Sequence, residues 1–163
     1  MAGTAHADAH LVGFVANTLD CGVPINNGPM HLVAKAAFGH FATWVRTGEL
    51  PRVAPRLALT GAAMPEIQRD GDGIAPGGIR TPPVDVPVDV LSGVPGPSPQ
   101  VICLLLGSTQ PLPDARLAEL YPSRDAYVQQ YDAATGQVIE SGFILEPDRD
   151  ALLGFAQPTR IEP

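Results

Sequence analysis

Pro29-Met-His-Leu-Val-Ala-Lys-Ala-Ala-Phe-Gly-His-Phe-Ala-Thr-Trp-Val-Arg-Thr47 is the clearest helical stretch in the chain. Val33, Ala37, Phe41 and Trp44 fall on one face of a 3.6-residue period, with Ala36 and Val45 beside them. Asn27 or Gly28 is placed to cap the start. Pro29 fits the first helical position, where no amide donor is needed. Gly48 sits where a terminating glycine belongs, and Pro51 prevents the helix from resuming. The spacing predicts a helix over 29–47.

On the N-terminal side, residues 1–28 read as a loop-rich start. Leu11-Val-Gly-Phe-Val15 is a short apolar stretch, and Cys21-Gly-Val-Pro-Ile-Asn-Asn-Gly28 is turn chemistry. On the C-terminal side, residues 51–113 hold 12 of the 18 prolines, which argues against long helices there. Arg56–Thr60 reads as a short strand and Arg69–Gly78 as a glycine-rich loop. Val84, Val86, Val88 and Val90 alternate with Asp85, Pro87 and Asp89. That pattern predicts a half-exposed strand, pushed to a sheet edge by Pro87. Val101-Ile-Cys-Leu-Leu-Leu106 is the best candidate for a buried strand. Residues 114–157 return to helix. Asp114 is expected to cap Ala115–Leu120. Ser123 is expected to cap a longer helix with Tyr127, Tyr131, Ala134 and Val138 on one face, ended by Gly142. Pro147 opens a short last helix carrying Leu152, Leu153 and Phe155, and the tail from Pro158 is expected to fray.

The chain has 163 residues, about one domain. Hydrophobic residues make up 45% and charged residues 17%, enough apolar material for a packed core. The net charge is −7, with Lys35 the single lysine among scattered arginines. Such a chain has no electrostatic footprint for nucleic acid. No apolar run approaches the ~20 residues a membrane helix needs. Met1–Asp8 has neither the basic nor the apolar region of a signal peptide, so cytoplasm is the default location. Cys21 and Cys103 are in no metal spacing and read as free thiols, with a disulfide between them as the less favoured alternative.

Four groups of residues carry possible chemistry. His6, in Gly3-Thr-Ala-His6-Ala-Asp8, follows a small-residue turn, from which a histidine can serve a serine nucleophile as general base. His6 and His10 have the i, i+4 spacing of a zinc pair, but no glutamate and no third ligand accompany them. His40 lies near the apolar face of the long helix and reads as a packing residue. Asp70-Gly-Asp72-Gly resembles the opening of a calcium loop, but Ile74 and Thr81 occupy positions where ligands are required, so an exposed turn is expected. Arg80, after Gly77-Gly78, presents a guanidinium for a carboxylate, either of a ligand or of the same chain. No metal or cofactor is expected. The serines Ser92, Ser98, Ser108, Ser123 and Ser141 do not lie in the G-x-S-x-G elbow of an α/β-type hydrolase.

Several blocks taken in order nonetheless resemble a bacterial family of α/β-hydrolase domain-containing proteins. They are Ala2-Gly-Thr-Ala-His-Ala-Asp8, Cys21-Gly-Val-Pro-Ile-Asn26, Ala34-Lys-Ala-Ala37 with Trp44-Val-Arg46, and Gly77-Gly-Ile-Arg-Thr-Pro82. Val86-Pro-Val88, Leu106-Gly-Ser-Thr109 and Leu120-Tyr-Pro-Ser123 follow. The resemblance implies an α/β fold of which this chain is a C-terminal fragment: a few helices, short strands and long Pro/Gly-rich loops. Residues 1–50 would be the end of the hydrolase core, with 29–47 packed on its sheet. Residues 51–163 would be a C-terminal extension. The chain order nucleophile, acid, histidine would make His6 the triad histidine, with its partners upstream and a small-molecule ester as substrate. The chain would then be inactive without an N-terminal hydrolase half. The alternative is a non-catalytic binding module derived from a hydrolase C-terminus.

Overall fold

The computed structural model describes residues 1–13, 18–61 and 63–162. In chain order they form α1 (Ala9–Val12), α2 (Met30–Thr47), β1 (Leu59–Thr60), β2 (Glu66–Ile67), α3 (Pro82–Asp85), β3 (Asp89–Ser92), α4 (Cys103–Leu106), β4 (Ser108–Pro111), α5 (Asp114–Leu120), α6 (Arg124–Glu140) and α7 (Arg149–Leu153). Short 3-10 turns cover Glu146–Asp148 and Pro158–Arg160. Part of the apolar stretch Leu11–Val15 lies outside the described residues.

The largest core is built around α6. Ser123 caps this helix, its hydroxyl accepting from the Ala126 amide at 3.1 Å. Tyr127, Tyr131, Ala134 and Val138 form its buried face, as the 3.6-residue spacing requires. Val86, Val88, Leu112, Leu117, Tyr121 and Ile161 close over the tyrosines. The β3–β4 hairpin lies antiparallel, with Val90 opposite Gln110 and Leu91 opposite Thr109. The β1–β2 pair is shorter and exposed.

Tyr121, Tyr127 and Tyr131 are all the tyrosines of the chain. Burial pushes each phenol above its ordinary value, and for Tyr127 the Gln157 amide donated to its oxygen opposes this. The folded-state values exceed the unfolded value of about 10. Their stabilising effect is therefore complete below about pH 10 and is lost as pH rises through the raised folded values. Phenolate absorbance of the native protein is expected to rise only at a pH above that at which the unfolded chain titrates, and to appear in full on unfolding. Ordinary titration near pH 10 with native circular dichroism would contradict the buried core.

Four expectations from sequence fail for tertiary reasons. Val101–Leu106 is not a strand: residues 103–106 form a helical turn, α4. Only Cys103 and Leu106 are buried in this run, and both join the cluster around Cys21. Residues i and i+3 share a face in a helix but lie on opposite faces in a strand. Gly107, at φ 59°, then redirects the chain into β4, where a Cβ would overlap the Ser92 carbonyl oxygen. The alternating stretch 84–91 is also not one strand. Pro82 and Pro83 open α3, and pairing begins only at Asp89. Asp89 points inward, where it accepts from Gln157 Nε2 at 2.6 Å and Arg160 at 3.2 Å. The tail is docked: Arg124 donates to the carbonyls of Pro158 and Ile161, and Ile161 is buried. The two cysteines are not free thiols; they form a disulfide, with Cα atoms 5.5 Å apart.

The predicted apolar face of α2 is only half covered. Leu32 and Val33 are buried against Val138, Ile144 and Leu152, and Ala36 is buried as well. Phe38, Phe41, Trp44 and Val45, nearer the C-terminus, are exposed. Gly48, at φ 77°, terminates the helix through its N–H to the Trp44 carbonyl.

Asn26 ties the N-terminal segment to this framework. Its buried amide donates to the carbonyls of Gly3 and Ser92, both at 3.0 Å, and accepts from the Gly28 amide at 2.9 Å. Asn26→Ala leaves three backbone groups, one buried and two half-buried, without that partner. A loss of about 2–3 kcal/mol is expected, readable as a lower urea midpoint with an unchanged slope.

Candidate functional site

Asp8 stands just before α1, and its carboxylate is fully withdrawn from solvent. One oxygen caps α1 by accepting from the His10 amide at 2.7 Å. The other accepts from the His31 amide at 2.6 Å and from His31 Nδ1 at 2.9 Å. A single side chain therefore caps the starts of two helices and orients an imidazole. This explains how α2 begins without a local cap. Pro29 occupies the cap position and offers no side-chain acceptor, so the acceptor comes from 23 residues upstream.

A carboxylate at Nδ1 fixes the neutral ring with its proton on Nδ1 and its lone pair on Nε2. Among the described residues His31 Nε2 has no hydrogen-bond partner, and the side chain is 26% exposed. Phe155 and His10 form the walls, with ring centroids 6.2 and 5.0 Å from His31. His10 is held in turn, its Nε2 donating to the Asn27 carbonyl at 3.0 Å. Buried acid, Nδ1–H and open Nε2 are the parts of an acid–histidine pair that takes a proton from a nucleophile. Sequence reasoning missed His31 because Asp8 and His31 are far apart in the chain. The available signal was their order: Asp8 precedes His31 as an acid precedes a histidine in the α/β arrangement, whereas it follows His6.

His6 lies in an exposed bend before α1, and its ring has no hydrogen-bond partner among the described residues. His40 Nε2 donates to the Gly142 carbonyl at 2.6 Å, pinning α2 to the end of α6. Arg80 is engaged within the chain: it pairs with Asp85 and donates to the carbonyls of Ala75 and Val84. A ligand carboxylate would have to compete with these bonds. Asp70 closes a turn by accepting from the amides of Asp72 and Ile74, and Asp72 pairs with Arg116 through both oxygens. The two carboxylates beside Arg116 push its pKa up, Asp72 contributing most. Among the described residues no group of three or more His, Cys, Asp and Glu is arranged to hold a metal.

No serine reaches these histidines among the described residues. Ser108 donates to the Val94 carbonyl, Ser92 and Ser98 accept from nearby turn amides, and Ser123 caps α6. A cavity of about 30 Å³ borders Asn27, Gly28 and Phe155, room for a water rather than an ester.

A family model described as an alpha/beta hydrolase domain matches residues 1–154 of the chain. No curated protein and no solved structure gives a match. No helix among the described residues is long and apolar enough to cross a membrane.

Proposed function

The chain belongs to the alpha/beta hydrolase domain family, and from that premise we propose that it supplies the acid–histidine pair of a serine-dependent, esterase-like hydrolase. The observation that carries this reading is the buried Asp8 carboxylate on His31 Nδ1. In the proposed reaction His31 Nε2 takes the proton of a serine as that serine attacks an ester carbonyl. Asp8 stabilises the imidazolium that forms, and the ring returns the proton to the leaving alcohol. The serine comes from an N-terminal hydrolase half, because this chain contains no G-x-S-x-G elbow. The chain alone is therefore inactive. His6 is the alternative base, favoured by the family resemblance of its Gly-Thr-Ala-His block, although no acid orients it.

The experiment is co-expression with a nucleophile-bearing half from the same family, followed by fluorophosphonate labelling of the serine. Labelling is expected with the native chain and with H6Q, and is expected to be lost with H31Q. Loss with H6Q and retention with H31Q moves the base to His6. Serine-dependent ester hydrolysis by the purified chain alone defeats the divided-site reading. A second reading, a non-catalytic binding module, is favoured by the self-contained core around α6 and by the disulfide. It gains if no combination labels and the isolated chain melts cooperatively.

A further inference from the structure

The exposed half of α2 does not face open solvent along its whole width. Phe41 and Trp44 form one wall of a groove whose other walls are Leu50, Ile79 and Phe143. These residues come from separate segments: α2, the turn after it, the loop before α3 and the turn after α6. The groove has a volume of about 360 Å³, within the size range of small-molecule sites. Its lining is almost wholly apolar, and its polar members are His40 and Arg52. His40 is committed to the Gly142 carbonyl. Arg52 is not committed: it makes no hydrogen bond or ion pair among the described residues.

That matters in a chain of net charge −7. Arg80, Arg116, Arg149 and Arg160 hold carboxylates of the same chain, and Arg46, Arg69 and Arg124 donate to carbonyl or hydroxyl oxygens. Arg52 and Arg56 do neither among the described residues, and of these two Arg52 lines the groove. Arg52 instead stands beside an apolar channel without an acidic partner. A guanidinium presents a planar fork that matches a carboxylate, and exposed apolar walls favour an alkyl chain that removes them from water. We propose that this groove binds a fatty-acid-type carboxylate, the alkyl chain between Phe41, Trp44, Leu50 and Phe143 and the carboxylate on Arg52. A lipid surface would meet a convex ridge. This lining is an open trough shared by α2 and three other segments, which fits a single amphiphile. The site is separate from the Asp8–His31 pair, and its occupancy requires no catalysis.

Trp44 is the only tryptophan in the chain, so its emission reports the groove directly. Titration of the purified chain with decanoate below its micelle concentration is expected to give a saturable blue shift of Trp44. R52Q is expected to weaken decanoate roughly tenfold while leaving decanol binding unchanged. A37F, which places bulk in the groove on an exposed helix position, is expected to abolish both without changing the circular dichroism spectrum. An unsaturable decanoate response overturns the proposal, as does equal affinity in R52Q and the native chain. A Trp44 shift seen only with phosphatidylglycerol vesicles identifies a membrane contact and overturns it. So does a shift that depends on protein concentration alone, which identifies a second copy of the chain.

Discussion

The C21A/C103A chain is expected to melt roughly 10–20 °C below the oxidised protein. The bond joins residues separated by 82 positions, so it removes a long loop from the freedom of the unfolded chain. Loop-closure entropy for that length corresponds to about 4–5 kcal/mol. For a chain of this size each kcal/mol moves the midpoint by about 2–4 °C. The bond also has a local task. Cys21, Cys103 and Leu106 form a small buried cluster separate from the tyrosine core. Beside it the Asn26 amide donates to the Leu106 carbonyl and the Thr109 amide to the Pro24 carbonyl. Without the bond, the N-terminal segment is held by this backbone pairing and by the Asn26 and Asp8 side chains. Calorimetry of oxidised and variant protein, with a thiol assay showing no free sulfhydryl in the former, checks the expectation. Equal midpoints would mean that the crosslink constrains nothing.

Asp8→Ala is expected to destabilise the chain by about 3 kcal/mol and to release His31. Two helix starts lose their cap, each contributing about 1 kcal/mol. The Nδ1–H of His31 also loses a charge-assisted acceptor in a site closed to water. Asp8→Asn retains one carbonyl acceptor and is expected to fall between the two. The test pairs a urea melt with ring ¹⁵N shifts of His31 in its neutral form. The native ring should carry its proton on Nδ1, whereas D8A should populate both tautomers. A D8A protein with native stability and an unchanged ring spectrum would remove Asp8 from both roles. H31Q separates the two effects: it keeps the backbone cap and removes the ring, so its loss of stability should be the smaller.

The helices were legible because their evidence is local. The period of Tyr127, Tyr131, Ala134 and Val138 and the hydroxyl of Ser123 lie within a few turns of one another. Gly48 and Gly142 stop helices by conformational freedom that needs no distant partner. The stretches 84–91 and 101–106 were misread because apolar alternation and apolar runs are weak signals when burial is imposed from elsewhere. Val84, Val86 and Val88 are all buried, and Asp89 is buried with them. The family likeness carried by blocks such as Cys21–Asn26 and Gly77–Pro82 was readable, and it agrees with the match over residues 1–154.

The candidate site divides along the same line. Composition and order alone determined that the chain is acidic, that it has no serine elbow, and that a histidine follows Gly3-Thr-Ala. Only the tertiary structure decided that Asp8 reaches His31, that Cys21 meets Cys103, and that Arg52 stands without a carboxylate beside Trp44. The reason is physical. Caps and periods are set by neighbours within a turn, whereas acid–base pairs, crosslinks and grooves are set by contacts whose partners lie tens of residues apart, and a linear spacing carries no distance between them.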